Sequence, residues 1–458
     1  MIMRKIITLL LSALLCMTAS AAPLGTPADN EIWYTTRTHQ PASFRAASFD
    51  AKIVENKVVG DKIVLRFDKP LTSIGFFAFN GEEFTSISIP NSVTTVSENV
   101  CMNCDNLTHF YGKFSTADHR ALIVDGVLIR CGAKGLTKYD VPYGVRRIAS
   151  CAFSFNPLFR GSDFYKYQIG EITMDRSRWS LTHLWLPSTV EEIGDYAFQS
   201  CYNLEVLNIP ASVKKIGKGI FDGVYSLVSV TWDSDCKPTA LNKPFYNLLS
   251  IYGKYASADN RCLVYNGSLV VGTMKGLTSY TLPSSVRVIE RHSLINGKML
   301  TSLTLPESVT NIKSDPLDYT FDNIQNFYGK FATEGGSGLV QEGRLIEVAV
   351  ARLQKGAQQS IDFNIPEGIE VVDENLFFEC DNISIIRLPS TIKVIAYNSM
   401  PRQFKNTRSI YIKASTPPEL NSALRDIQKI YVPYSAVEAY KIAKNWEVYA
   451  DKIVGYNF

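Results

Sequence analysis

Histidine and tryptophan (5 each), methionine (8) and cysteine (9) are scarce in this chain of 458 residues. The histidines are His39, His109, His119, His183 and His292; no two lie within seven residues of each other and none sits in an H-E-x-x-H. No G-x-S-x-G occurs either, so the helical zinc-protease site and the nucleophile elbow of α/β-hydrolases are both missing. An excess of one charge is also lacking. With 47 Lys and Arg against 44 Asp and Glu the formal charge is +3, too little to recruit nucleic acid or anionic lipid over the whole surface. Beyond the first two dozen residues no apolar run approaches the roughly 20 residues of a membrane helix. Carboxylates are plentiful but scattered, so nothing singles out a pair flanking a glycosidic bond, and a hydrolase is the remote alternative. What is abundant is packing material: 46% hydrophobic residues, with 23 Tyr and 24 Phe. This is the composition of a scaffold, with no cofactor expected.

The start of the chain reads as an export leader over residues 1–21. Arg4 and Lys5 form a basic region, Ile6 to Met17 an apolar stretch broken only by Thr8 and Ser12, and Ala19-Ser20-Ala21 an A-x-A cleavage site. Leu15 before Cys16 disfavours lipid anchoring, which needs a small residue there. The expected product is exported to the medium or the cell surface, with the periplasm as the other exported compartment, and keeps no integral membrane segment.

Eight cysteines remain after the leader: Cys101, Cys104, Cys131, Cys151, Cys201, Cys236, Cys262 and Cys380. They are too sparse for a disulfide scaffold. Cys101 and Cys104 form a C-x-x-C, but no second pair or H-x3-H completes a zinc ligand set, so no metal is expected. Cys104, Cys201 and Cys380 share one repeat position, which predicts buried, unpaired thiols packing as small hydrophobes.

Nine of the 20 prolines stand in one setting: Pro90, Pro142, Pro187, Pro210, Pro283, Pro306, Pro366, Pro389 and Pro433. Ile, Leu or Val always precedes them, and an aliphatic or aromatic residue stands three before. Except after Pro433, Val or Ile follows at plus three and plus six, and Cys101, Phe153, Phe198, Phe221, Leu294, Leu317, Phe377 or Met400 at plus eleven. The unit is L-x2-L-x-I-P-x2-V-x2-I-x4-F, with a period of 23 residues from Pro187 to Pro210, Pro283 to Pro306 and Pro366 to Pro389. Asp68, Lys113, Asp233, Lys254, Lys330 and Lys413 fill the proline place in degenerate copies, making about fifteen coils. A unit this short cannot bury its apolar face alone, so neighbours must stack around one core. The expected fold is a β-rich solenoid. Its parallel strands end at the prolines, and the V-x-x-I arm leads into short helical or 3₁₀ turns around pairs such as Ala152-Phe153 and Ala197-Phe198.

Three further copies are nested in the array: Phe110-Tyr111-Gly112-Lys113-Phe114, Ile251-Tyr252-Gly253-Lys254-Tyr255 and Phe327-Tyr328-Gly329-Lys330-Phe331. Each precedes two apolar runs joined at Asp125-Gly126, Asn266-Gly267 or Glu342-Gly343, so these coils should carry a β-hairpin in place of the V-x-x-I arm. One glycine per copy without G-K-[ST] is not a phosphate loop.

The I-P-x-x-V-x-x-I-x-x-x-A-F-x-x-C-x-x-L pattern, fullest from Leu186-Pro187 through Ala197-Phe198, Cys201 and Leu204, resembles the BspA-like leucine-rich-repeat family of bacterial cell-surface and secreted antigens. The resemblance covers residues 62–433 and extends to Asn30-Glu31-Ile32-Trp33-Tyr34 and to Ile430-Tyr431-Val432-Pro433 with Trp446 and Ile453. It implies a repeat scaffold for binding and adhesion, in some members to host matrix proteins or other bacteria, and no catalytic residues. The hairpin coils and an irregular stretch from Phe155 to Trp179 depart from it. Residues 22–61 read as an N-terminal cap over the first sheet edge. Residues 434–458 read as a helical C-terminal cap, opened by the capping box Ser435-Ala436-Val437-Glu438 and running to about Asn445.

The expected function is therefore an exported, monomeric binding scaffold with a protein partner on the host matrix or a bacterial surface. Glycan binding is the alternative, and no nucleic acid is expected. Residues four and two before each proline place must point away from the core and line up as two columns. They include Lys138, Asp140, His183, Trp185, Asp362, Arg387, Lys429 and Tyr431 among blander residues such as Ser86, Ser88, Thr281 and Thr304. An outward Trp185 makes this face the natural binding surface, unless the Phe155 to Trp179 stretch covers it. The hairpin tips Asp125, Asn266 and Glu342 are the second choice.

Overall fold

A computed structural model describes residues 24–81, 83–101, 104–154, 180–238, 241, 245–313, 317, 321, 323–349, 361–377, 380, 383–401 and 409–458. The leader and the stretch from Phe155 to Trp179 fall outside them. The chain is a β-solenoid of about 14 turns with mostly parallel strands. It divides into two compact units: residues 1–181 with 189–201 and 216–222, and residues 182–188 with 202–215 and 223–458.

The apolar run before each repeat proline forms a strand that ends at the proline or within two residues of it, as in Phe84–Ile89, Val206–Ile209 and Ser302–Leu305. Proline has no N–H for the ladder, so pairing stops there. Its carbonyl then accepts a turn bond from the residue three on: Val213 N–H reaches Pro210 O at 3.1 Å and Val286 N–H reaches Pro283 O at 3.0 Å. In the second unit these strands pair in parallel and in register, for example Leu207 with Val230 and Ile386 with Ile410. The V-x-x-I arms make a second parallel sheet of two-residue strands. Arg147-Ile148 pairs with Glu192-Ile193 in the first unit, and Val371-Val372 pairs with Val394-Ile395 in the second.

The corner between arm and wall residue differs from expectation. Position plus nine takes a left-handed backbone in coil after coil: Phe77 (φ 56), Cys151 (58), Tyr196 (56), Gly219 (63), His292 (51), Asn375 (61) and Asn398 (51). A residue with φ > 0 ends right-handed winding, so Ala152-Phe153 and Ala197-Phe198 lie in turns and bends, not in helices. The corner is instead stitched to its neighbour: Tyr196 N–H donates to Lys218 O (2.8 Å) and Phe153 N–H to Ala197 O (2.9 Å). All eight wall residues at plus eleven are buried, and the Phe153 and Phe198 rings stand 5.9 Å apart. Each such phenylalanine contributes roughly 1.5–3 kcal/mol of hydrophobic stabilisation.

The three hairpins form as expected, Ala121–Val124 with Val127–Cys131, Cys262–Tyr265 with Ser268–Thr273, and Gly338–Gln341 with Arg344–Val348. Their tips have φ > 0 at both residues, the primed turn that suits strand twist. The returning strand takes the arm's place in the second sheet, where Val127-Leu128 pairs with Arg147-Ile148.

In the first unit Glu31–Thr36 lies antiparallel between Lys62–Phe67 and Phe84–Ile89, with Ile53–Val59 as the outer strand. In the second unit Lys429–Pro433 is followed by a 3₁₀ turn (Tyr434–Ala436), an α-helix (Val437–Ile442), a second 3₁₀ segment (Glu447–Lys452) and a last parallel strand, Ile453–Tyr456. The helix stops short of Asn445, and Ser435 does not cap it; no side chain does. Buried aromatics hold it instead: Tyr440 Oη donates to Ala414 O (3.0 Å) and Trp446 Nε1 to Pro418 O (2.7 Å), with the rings 5.2 Å apart.

Candidate binding surface

Strand alternation determines which side chains can meet a partner. In the first unit Lys138 and Asp140 are exposed on the strand Lys138–Asp140. Ser86 and Ser88, expected to face outward, are buried, because Thr35 bonds Ser86 and Ser88 Oγ donates to Gly25 O (2.6 Å). The N-terminal segment covers that part of the face.

In the second unit His183 is half-buried, with its Nδ1 2.8 Å from Thr182 Oγ1, and Trp185 is 53% exposed. Asn208, two before Pro210, is buried, since its amide trades two hydrogen bonds (2.7 and 2.8 Å) with the backbone of Leu186. It thereby extends the ladder one residue past Trp185. Further along, position minus two carries Tyr252 and Tyr328, both exposed, and then a connected group. Arg387 donates to Asp362 Oδ2 at 3.1 and 2.8 Å and stacks its guanidinium 4.4 Å from the centre of Tyr411. Tyr411 stacks on Tyr431 at 4.4 Å and 15°. Tyr456 meets both rings edge-on at 5.1 and 5.5 Å, and Phe458 lies 5.1 Å beyond it. The Asp362 carboxylate keeps the Arg387 guanidinium above its ordinary value, and burial, then Tyr431, raises the Tyr411 phenol.

Of the eight residues singled out from sequence, Asp362, Arg387 and Tyr431 share this group, with Lys429 exposed on the same strand as Tyr431. His183 and Trp185 share another strand, and Lys138 with Asp140 belongs to the first unit. Tyr252, Tyr328 and Tyr411 were missed, although each stands two before a degenerate place, Lys254, Lys330 or Lys413. Tyr456 lies past the last repeat and carries no such signal.

The thiols have a packing role. Cys104 Sγ donates to Phe79 O and Cys201 Sγ to Phe153 O (3.4 Å), in each case the wall residue of an earlier coil. Cys104, Cys201 and Cys380 are buried and form no disulfide, and burial pushes the first two up to about 12. Among the described residues no three His, Cys, Asp or Glu side chains gather to hold a metal.

The model of the BspA type leucine rich repeat region matches six copies in this sequence, over residues 64–160, 168–252, 271–330 and 355–434. The chain belongs to the BspA type leucine-rich-repeat family. Among solved structures, this BspA-type chain is similar to a leucine-rich cell surface protein from Faecalibacterium prausnitzii at 19% identity and a TM-score of 0.40, covering 82% of this chain and 92% of that one. It is also similar to a leucine-rich repeat protein from Bacteroides ovatus (16%, TM-score 0.38, 88% and 91%) and to the pneumococcal vaccine antigen PcpA (15%, TM-score 0.39, 91% and 90%). No curated protein matches the sequence. In this BspA-type chain the repeat positions build the scaffold, and the minus-two column varies from Ser88 and Asp140 to Trp185, Tyr252 and Arg387.

Proposed function

We propose that the protein is an exported, non-catalytic binding scaffold that engages a protein partner, on host matrix or a neighbouring cell, through the outward strand face of its second unit. Residues 1–21 are the leader, 22–61 and 434–458 flank the repeats as caps, and 62–433 form the array. One observation carries the reading: position minus two presents Trp185, Tyr252, Tyr328, Arg387, Tyr411 and Tyr431 along strands whose inward residues are apolar apart from Ser384. Tryptophan, tyrosine and arginine are the residues enriched at the hot spots of protein interfaces; the two aromatics bury much area at low entropic cost, and arginine adds stacking and charge. Lys429, Asp362 and the phenol groups supply a polar rim. A glycan is the second reading, favoured by the solitary open rings of Trp185, Tyr252 and Tyr328, whose faces could stack on sugars.

The test is a binding screen of the protein lacking residues 1–21 against immobilised host matrix proteins, bacterial surface proteins and a glycan array. Saturable binding to a protein that survives deglycosylation of that protein supports the first reading. Glycan-only binding replaces it with the second, and binding to none of the three overturns both.

A further inference from the structure

The two units treat their outermost strands differently. In the first unit the outer strand Ile53–Val59 carries Glu55 and Lys57, paired at 2.6 Å, with Arg66 of the next strand 2.7 Å from Glu55. Charge on an edge strand is a standard device against unwanted pairing. In the second unit the sheet ends on Ile453–Tyr456, which among the described residues pairs on one side only, with Lys429–Pro433. This strand has no charge, no proline and no bulge, and its outward residues Val454 and Tyr456 are exposed, as are Phe458 just past it and Tyr434 against Gly455.

An unpaired backbone edge is matched by another extended polypeptide, and by no sugar, lipid or nucleic acid. The composition of this edge selects itself. We propose that Ile453–Tyr456 pairs antiparallel with the same strand of a second copy of this chain, across a two-fold axis at Gly455. Self-pairing about Gly455 sets Val454 opposite Tyr456 twice on the outward face, a β-branched and aromatic pair of the kind that stabilises sheets. It sets glycine against glycine at the axis, and Lys452 opposite Phe458, so no like charges face each other. The contact is isologous and closes after two copies, in place of the monomer expected from sequence. It adjoins the Tyr411–Tyr431 end of the strand columns proposed to bind a partner, through Tyr456, but does not depend on that reading.

The experiment is sedimentation velocity of the purified protein over a concentration series, with Val454→Lys, Val454→Glu and an equimolar mixture of the two. Across the axis the two residues 454 are diagonal neighbours. The expected result is a dimer in the parent, monomers for each variant alone through like-charge repulsion, and a dimer again in the mixture, which also shows that both variants fold. A parent that stays monomeric at every concentration overturns the proposal. So does a dimer that either variant retains at parental strength, or a pair of variants that remain monomeric when mixed.

Discussion

Tyr111, Tyr252 and Tyr328 hold the same place in three copies of one segment, yet Tyr111 is 5% exposed while Tyr252 and Tyr328 are 44% and 50% exposed. The backbone does not account for this. In all three copies the lysine sits over the next ring, at 5.2, 5.3 and 5.4 Å, and the residue eight beyond the lysine donates its N–H to a Thr or Ser hydroxyl, at 2.9, 2.9 and 3.0 Å. The copies differ in the adjoining strand, where Gly25 lies over Ser88 beside Tyr111, and in two flanking side chains. Tyr111 stands between His109, parallel at 6.3 Å, and His119 at 4.7 Å, where the other copies have Ser250 with Asn260 and Asn326 with Gly336. The repeat sets where a ring points; its neighbours on adjoining strands and turns decide whether a partner can reach it.

The glycine of this segment gives the largest expected effect. At Gly112, Gly253 and Gly329 a Cβ would stand 2.1, 2.4 and 2.0 Å from the carbonyl oxygen of Ile89, Trp232 and Leu305, and all three have φ between 79 and 106°. Gly253→Ala should cost about 4 kcal/mol, from the positive φ and the overpacking together. Denaturant unfolding checks it, and equal losses for Gly112→Ala and Gly329→Ala are expected if the copies share one backbone. A copy that tolerates alanine would end the comparison.

Next in size is the unmasking of Tyr111. His109→Ser with His119→Asn should let tetranitromethane nitrate Tyr111 at a rate close to that of Tyr252, whereas in the parent Tyr111 stays unmodified; peptide mapping reads both. Protection that survives the double substitution would mean that other residues cover the ring.

Glu342 holds the hairpin-tip place of Asp125 and Asn266 at φ 49, a conformation that asparagine tolerates far better. Glu342→Asn should raise stability by roughly 0.5–1 kcal/mol in thermal unfolding, bringing the third copy level with the others at this turn.

The smallest effect is a pH dependence confined to the first copy. Burial, and then the neighbouring Arg120, lowers the His109 pKa below the ordinary value of 6.5, so the folded state binds fewer protons than the unfolded one. That contribution is complete above pH 6.5 and is lost as pH falls through the lower folded value. The thermal midpoint should therefore drop on acidification below 6.5, and His109→Ser should remove this part of the slope.

Much of the scaffold is legible in the sequence, because proline, V-x-x-I and wall positions repeat at fixed offsets and each offset has one physical meaning. The left-handed corner was not, since Phe77, Cys151, Tyr196 and His292 give no hint of φ > 0 where glycine or asparagine would. The strand Ile453–Tyr456 was missed because it follows a helix and has no proline place. At the candidate surface, alternation identified the outward columns but could not foresee that Asn208 would turn to Leu186, or that Gly25 would lie over Ser88. Those outcomes depend on backbone groups more than twenty residues away.

Under the proposed function the open rings at position minus two of the second unit form the binding surface, while their covered counterpart in the first unit does not. Once a partner is found, the most direct measurement is its equilibrium affinity for the triple variant Trp185→Ser, Tyr252→Ser, Tyr328→Ser and, separately, for Tyr111→Phe. The expected result is at least a tenfold loss for the triple variant, about 1.4 kcal/mol or more, and an unchanged affinity for Tyr111→Phe. Unchanged binding by a folded triple variant would contradict it.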